Sequence, residues 1–459
     1  VKRWSEQRLS LLFRNVLVQN ALSLYGVQFA GYIIPLVTIP YLARVLGAAG
    51  WGLVAFAQSF GSYVAVVGEY GFGFSATREV ARHREDRERL TEILAGVLGA
   101  KTLLAGVGVA AAFLVLWLVP LFRQHPLLLW SAIFWALAQA FSMMWFFLGL
   151  ERMRLFASLD MATKGLATIA IFLFVRRPGD EWRVLALQGA GFCLSFVICS
   201  WLVYRDLPFH LPTWHATWEA IHMGWTMFLF RGSVSLCTVG NVFVLGLFVS
   251  PRLVGFYAGA EKISKAFLGL LSPINQTLYP RMSHLVQHAR ERAARIARVG
   301  VAIMGGGGAA MGVLVFFLAP QLVRVILGTG YAPAVPVLRI LALLPPLIGL
   351  SNLFGVQWML PLGMDRQFNW IVLGAASLNL GIAITLAPIW GPVGMAWAVV
   401  SAELFASLSI FILLRIQGLD PFRYRGPVCE AAAVPVLTGA VSSVDFVDSD
   451  RIRCRAPKR

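Results

Sequence analysis

Residues 256–267 read FYAGAEKISKAF, and residues 53–64, lying 203 positions earlier, read LVAFAQSFGSYV. Laid over one another, the two stretches share a frame. Gly52 falls on Gly255, Ala55 on Ala258, Ala57 on Ala260 and Gln58 on Glu261. Continued without a gap, the same shift brings Arg78 onto Arg281. After a small insertion, Gly-Leu-Glu-Arg at 149–152 falls on Gly-Met-Asp-Arg at 363–366. Two matches in one order read as an internal duplication, and that duplication decides the architecture.

What is duplicated follows from composition. The 459 residues are 58% hydrophobic and 13% charged, with a mean hydropathy of +0.73. Ordinary soluble domains carry about 25% charged residues. Apolar runs of about 20 residues, the length of a membrane span, recur almost throughout. Their spacing predicts about twelve helices, near 16–44, 51–75, 92–119, 126–149, 155–175, 183–204, 218–249, 253–280, 297–320, 334–360, 368–388 and 392–415. Six helices is an even number, so both halves enter the membrane in one orientation. The expected fold is an all-α polytopic membrane protein, with two six-helix lobes related by a parallel pseudo-two-fold repeat around a central cavity. The lobes are expected at 1–204 and 218–416, joined by a cytoplasmic linker at 205–217. A cytoplasmic tail, partly disordered, is expected at 417–459.

The net charge of +17 has a place in this scheme. Loops on one side hold Arg78, Arg82, Arg84, Arg87, Arg89, Arg152, Arg154, Arg290, Arg292, Arg295 and Arg298. Loops on the other hold only Arg44, Arg123, Arg176, Arg177, Arg252 and Arg324. The positive-inside rule puts the richer side, and both termini, in the cytoplasm. The arginines read as topology signals and contacts for anionic membrane lipids, not as a nucleic-acid surface. The N-terminus, with Lys2, Arg3, Arg8 and Arg14, enters a span longer than a signal-peptide core, so the first helix is expected to stay as an anchor. Residues 427–440 are apolar but short for a span, and 445–459 are charged.

The five cysteines have no metal-type spacing and read as buried thiols. The seven histidines form no ligand set or triad, and no cofactor, metal site or catalytic centre is expected. Gly305 to Gly308 lack the Lys-Ser/Thr of a phosphate loop and read as a place of close helix packing or flexing.

The chemistry sits in the opening stretch. On a helix over 253–280, Glu261, Lys262 and Lys265 fall within about 100° of one another, with Ser272 and Gln276 on the same face. Three charges facing lipid would cost of the order of 8–10 kcal/mol, so this stripe is expected to line a wet cavity. The other reading is an i,i+4 pair of Glu261 with Lys265, which leaves Lys262 and the mid-helix Arg231 unexplained. Excess cation in a cavity suits an anionic substrate, phosphate first. Lys101 and Lys164, about nine residues inside their helices, either join that cavity or snorkel to the cytoplasmic side. Glu69 and Glu403 are candidates for coupling to a proton or sodium ion, with pairing to Arg78 as the other reading of Glu69. Asn241 marks either the lumen or a helix–helix hydrogen bond. Gln58 and Gln276 complete the expected polar lumen, and Arg78 and Arg281 its inner mouth. In the first half, Gln58, Ser59 and Ser62 stand where Glu261, Lys262 and Lys265 stand in the second, so the charges belong to one lobe.

Four stretches carry a family resemblance: YLARVLGAAGWGLVAFAQSF (41–60), YGFGFSATREVARHR (70–84), WFFLGLERM (145–153) and GNVFVLGLFVSPRLVGFYAGAEKISKAFLGLLSPINQTLYPRMS (240–283). Over roughly 15–415 the chain resembles the O-antigen flippases. These are polysaccharide transporters of the multidrug/oligosaccharidyl-lipid/polysaccharide exporter superfamily. The resemblance implies a bacterial inner-membrane protein that moves undecaprenyl-pyrophosphate-linked oligosaccharide from the cytoplasmic to the periplasmic leaflet. It implies alternating access around a cationic lumen, driven by a proton or sodium gradient, with the polysaccharide polymerase and chain-length proteins as further partners. Arg231, Lys262 and Lys265 match the lumen cations so expected. A drug/cation antiporter of the same fold is the alternative, although its lumen should be acidic. A major-facilitator transporter lacks its Gly-x-x-x-Asp-Arg-type loop here, and a membrane glycan polymerase or ligase would need a larger outer loop.

Overall fold

The computed structural model describes residues 16–422, the side chains of 16–33, 35, 36, 226, 229–239, 272–274, 276, 277, 287 and 290 excepted. The tail expected beyond 422 therefore lies outside the described residues, as do the side chains of Arg231 and Gln276.

Membrane-buried backbone must satisfy its own polar groups, which favours helices. The first half holds α1 (Val16–Glu69), α2 (Phe72–Arg82), α3 (Arg87–Leu118), the short α4 (Pro120–Gln124), α5 (Pro126–Ala140), α6 (Met144–Gly149), α7 (Met153–Phe174) and α8 (Glu181–Asp206). The second holds α9 (Trp214–Val239), α10 (Asn241–Phe248), α11 (Pro251–Gly269), α12 (Ser272–His288), α13 (Arg290–Gly300) and α14 (Gly307–Ile326). It ends with α15 (Ala334–Leu341), α16 (Leu344–Ser351), α17 (Asp365–Trp390) and α18 (Pro392–Ile416). Among the described residues, nine stretches are long and apolar enough to cross a membrane. Their outer faces carry large exposed apolar side chains, such as Trp117, Phe317 and Trp370, which suits lipid rather than water.

The 54-residue α1 is two spans. At Gly47 the backbone leaves the helix with φ 70° and ψ 178°, a conformation essentially reserved for glycine. The neighbours on either side show a reversal. Before it, Ile34 and Thr38 share a cavity with Thr168 and Ile171, and the Tyr41 hydroxyl donates to the carbonyl of Val175, 2.6 Å away, just past the end of α7. After it, a Cβ on Gly50 would meet Glu181 at the start of α8, Gln58 meets Gln188, and a Cβ on Gly68 would meet Ala140 at the end of α5. The chain runs one way with α7 and returns with α8. Split there, and with the segments of each broken helix joined, each half supplies six crossing rods.

The duplication is visible as a contact. A Cβ on Gly52 would stand 1.8 Å from the carbonyl oxygen of Pro251, and one on Gly255 would stand 1.9 Å from that of Ala48. Residues 251 and 255 are 48 and 52 moved by the repeat shift. Such reciprocal contact is the signature of a two-fold axis, and the axis passes between the two glycines. The motifs at 149–152 and 363–366 also correspond, though in a shifted register. Arg152 N–H bonds the carbonyl of Phe147 and Met364 N–H that of Met359, each after a left-handed residue, Glu151 (φ 58°) and Gly363 (φ 76°). Both are Schellman-type helix ends. The left-handed residue is the glutamate in one lobe and the glycine in the other, so the sequence match sits two residues from the structural one.

The core tells how the lobes meet. At the Gly47 end one continuous apolar cluster spans both halves, from Leu42, Phe56 and Trp135 to Phe256, Leu338 and Met395. Tyr331 and Arg44 add hydrogen bonds across it, to the carbonyls of Ala43 and Val325. At the arginine-rich end the core divides. One cluster lies around Phe72, Leu94 and Phe146 of the first half and takes in Ala220 and Phe228 of α9, and another lies in the second half around Met282, Trp358 and Leu414. The halves are fused at one end; at the other, α9 joins the first-half core while the core of the later second-half helices stands apart. The beginning of α9 packs on α3: a Cβ on Gly96 would meet the Ala216 carbonyl, and Arg89 pairs with Glu219 at 2.8 Å.

Candidate functional site

The opening stretch lies on α11, whose first turns form the glycine crossing. The helix expected over 253–280 is broken. Leu270 and Leu271 form i→i−3 turns onto Phe267 and Leu268, and α12 begins afresh at Ser272. The cause is Pro273, which has no N–H for the Gly269 carbonyl. Within the described residues the expected stripe is therefore Glu261, Lys262 and Lys265, and the side chains of Ser272 and Gln276 lie outside the described residues. Within it, Lys265 and Glu261 pair at 3.0 Å. Glu261 is buried and Lys265 exposed. Lys262 points elsewhere: it borders a cavity of about 260 Å³ whose other walls belong to the first lobe.

That cavity is lined by Gln58, Trp51, Trp135, Gln188, Lys164 and Phe192, among others. Gln58 Nε2 donates to Gln188 Oε1 at 3.3 Å. Lys164 and Phe192 also border a second cavity of about 660 Å³ toward the arginine-rich end, with Glu69, Lys101, Asp160 and Trp145 in its wall. The two cavities thus meet at Lys164. Its ammonium sits 2.6 Å from Asp160 Oδ2 and 5.4 Å from the Phe192 ring centre. Asp160, on the same α7 and buried, escapes a reading by sequence. An acid four residues before a lysine near a helix start looks like an ordinary surface pair.

Lys101 is only 2% exposed, so it does not snorkel. Asp86 caps α3 through the Arg89 N–H, so the helix starts at Arg87 and Lys101 lies fourteen residues in. Its ammonium donates to the carbonyls of Ala140 (2.6 Å) and Ser142 (3.2 Å), at the C-terminus of α5. A cation there satisfies orphan carbonyls and the negative end of the helix dipole. Glu69, in the same cavity wall, acts electrostatically on Lys101.

The remaining residues scatter. Asn241 accepts from Asn379 Nδ2 at 2.8 Å, buried between α10 and α17, which is the helix–helix reading. Glu403 is half-buried on α18, and Arg78 and Arg281 are exposed on α2 and α12 at the arginine-rich end. The glycine run is divided: residues 301–306 form a π-helical turn, Gly308, like Gly312 beyond the run, lies against a backbone carbonyl, of Pro345 and Ala342 respectively, and Gly306 and Gly307 face open space. Gln357, fully buried, donates to Asn275 Oδ1 at 2.8 Å, a pair that sequence alone does not signal. Among the described residues no three His, Cys, Asp or Glu side chains converge to hold a metal ion.

Comparison with known proteins places this geometry. Two bacterial proteins, each named "Putative O-antigen transporter", align along nearly their whole length. The one from Escherichia coli (strain K12) is 28% identical over 400 residues, 86% of this chain and 96% of that one. The one from Shigella dysenteriae is 28% identical over 403 residues, 86% of this chain and 98% of that one. Among solved structures, the lipid II flippase MurJ in an inward closed conformation superposes with a TM-score of 0.64 at 13% identity, covering 86% of this chain and 87% of that one. An inward-facing multidrug resistance MATE family transporter gives 0.59 at 14% identity, covering 84% and 98%. At such identities these two structures establish the shared two-lobe fold. The profile of the polysaccharide biosynthesis protein family matches residues 17–286, which include both glycines of the crossing and Gln58, Lys101, Lys164 and Lys262, and the chain is a multi-pass membrane member of that family.

Proposed function

We propose that this protein is a flippase for lipid-linked oligosaccharide. It carries an undecaprenyl-pyrophosphate-linked repeat unit from the cytoplasmic to the periplasmic leaflet of the bacterial inner membrane, by alternating access and at the expense of an ion gradient. The observation that carries this reading is Lys262 of the second lobe bordering a cavity of the first that Lys164 also borders. Two ammonium groups from different lobes at one cavity suit an anion held between them, as a pyrophosphate would be. The names of the similar proteins, "Putative O-antigen transporter" and lipid II flippase, support the same class of cargo.

The arrangement of the cores supports the movement. With the arginine-rich end on the cytoplasmic side, substrate enters between the separate cores, and the glycine crossing closes the far end behind the cavity. Opening that crossing while the inner ends close would deliver the glycan outward, the prenyl chain staying in lipid between the lobes. Arg231 and Lys265 are proposed as further cations on the path, with Arg78 and Arg281 at its mouth. Glu69, Glu261 and Glu403 are the proposed carboxylates for coupling to a proton or sodium ion, and Gln276 a further polar contact.

Purified protein reconstituted into vesicles with undecaprenyl-pyrophosphate-linked oligosaccharide on the inner leaflet tests the proposal. The glycan should become accessible to an external lectin only when an ion gradient is imposed. Export of a cationic dye with no movement of glycan would replace it by the drug/cation antiporter. Formation of glycosidic bonds would replace it by a polymerase or ligase.

A further inference from the structure

We infer that Gln58 and Gln188 form a sugar-reading subsite on the first lobe, which takes a single sugar ring next to the phosphates held by the lysines. This rests on the flippase reading and adds where, and by what chemistry, the glycan is recognised.

Three amide–amide pairs among the described residues separate into two kinds. Asn241 with Asn379 and Gln357 with Asn275 join packed helices, and Asn241, Asn379 and Gln357 are each buried. Gln58 and Gln188 are both half-buried and border an open volume. Their mutual bond is long, 3.3 Å, and uses one N–H and one oxygen. Three N–H groups and the Gln58 oxygen remain, and an amide presents donor and acceptor side by side. Sugar hydroxyls need both at once, whereas a phosphate needs donors and charge.

The surroundings suit the same ligand. Trp51, Trp135 and Phe192 share the cavity wall; the two tryptophans are packed in the core, and the half-buried Phe192 ring is the one placed to meet the C–H face of a sugar. The volume, about 260 Å³, falls below the roughly 300–1,000 Å³ of pockets for drug-sized ligands. It admits one ring rather than an oligosaccharide. Lys262 and Lys164 border the same space, so a ring bound to the amides has its anomeric phosphate within their reach.

Binding to the purified full-length protein tests this with undecaprenyl pyrophosphate and with the same lipid bearing one glucose, galactose or N-acetylglucosamine. The wild type should bind at least one sugar-bearing lipid about tenfold more tightly than the bare pyrophosphate, as one or two hydrogen bonds would give. Gln58→Leu and Gln188→Leu should each erase that increment and leave the bare lipid bound within twofold. Lys262→Gln should weaken all four probes alike. If the leucine variants fail to fold, Gln188→Asn, which withdraws the amide by one methylene, must show the same selective loss. An increment that survives these changes, a loss shared by bare and sugar-bearing lipid, or no wild-type preference for any of the three sugars overturns the subsite and leaves the flippase reading standing. No binding of any probe by the wild type overturns both.

Discussion

Position 58 in the first lobe and position 261 in the second are one place in the repeat, yet they hold different chemistry. Gln58 reaches across to another helix and shares a neutral hydrogen bond with Gln188. Glu261 turns along its own helix and pairs with Lys265. Six residues earlier on the same two helices, Gly52 and Gly255 are identical and do the same thing. The difference shows what holds a duplicated pair together and what lets it diverge. At the crossing each backbone must fit the carbonyl of the other, so a change on one side is felt by both. Facing the cavity, each side chain answers to its own neighbours and to what passes. Symmetry survives in the packing and lapses in the chemistry.

The crossing offers the largest effect. Gly52→Val and Gly255→Val each place a branched side chain where even a Cβ would lie within 2 Å of a carbonyl oxygen, against an ordinary contact of about 3.5–4.0 Å between heavy atoms. The helices must part, so the closed end cannot form. Both substitutions should abolish delivery of polysaccharide to the surface of a strain that depends on this protein, with protein still present in the membrane. Loss from one and normal delivery from the other would break the symmetry argued here.

Next in size is the Asp160–Lys164 pair of the first lobe. Lys164→Met leaves Asp160 buried without its cation. Removing one partner of a fully buried pair costs about 3–5 kcal/mol. Because the Lys164 side chain is 30% exposed, solvent screening lowers the expected cost to about 2–3 kcal/mol. The melting temperature of detergent-solubilised protein should fall accordingly, and Lys164→Met with Asp160→Asn should recover most of it. An unchanged melting temperature in the single variant would mean that the pair carries no structural energy.

A smaller effect comes from exchanging chemistry between the lobes. Gln58→Glu puts the carboxylate of position 261 into the first lobe without its lysine. Bordering a cavity that Lys262 also borders, it should compete with an anionic substrate and reduce transport about tenfold, the equivalent of ~1.4 kcal/mol. Adding Ser62→Lys supplies the i,i+4 partner that Lys265 supplies to Glu261 and should relieve the repulsion of the bare pyrophosphate while leaving transport of the glycan low, because the sugar subsite requires the neutral amide at 58. Full recovery of transport in the double variant would show that charge alone matters at 58 and would count against the subsite.

Much of this was legible from the chain alone, for physical reasons. Spans announce themselves because lipid tolerates long apolar helices, and the repeat was visible because the crossing preserves Gly52 and Gly255 in register. The break between α11 and α12 was missed because Pro273 can open a helix as well as sit in one, and only the Leu270–Leu271 turns decide between the two. Asp160 was missed because spacing cannot tell a buried pair from a solvated one. Lys101 had no readable partner, since its acceptors are the backbone carbonyls of Ala140 and Ser142, which any sequence would supply. Gln188 was invisible because a neutral amide carries no anomaly until Gln58 is found beside it.

The smallest effect tests whether amide pairs in this protein do differ in kind. Asn241 and Asn379 meet between α10 and α17, away from the cavities, and their bond is short, 2.8 Å, and buried. Interhelical side-chain hydrogen bonds in membranes average only about 0.6 kcal/mol, with a maximum near 1.7, because the unfolded chain in lipid finds other partners. A double-mutant cycle of Asn241→Ala and Asn379→Ala should give a coupling near that average in unfolding measurements and leave substrate binding unchanged. The same cycle on Gln58 and Gln188 should give a smaller coupling in stability, since a 3.3 Å bond beside a cavity competes with water, and a larger one in the binding of sugar-bearing lipid. Equal behaviour of the two cycles would mean that both pairs are packing contacts, and the distinction between the lobes would then rest on the charges of α11 alone.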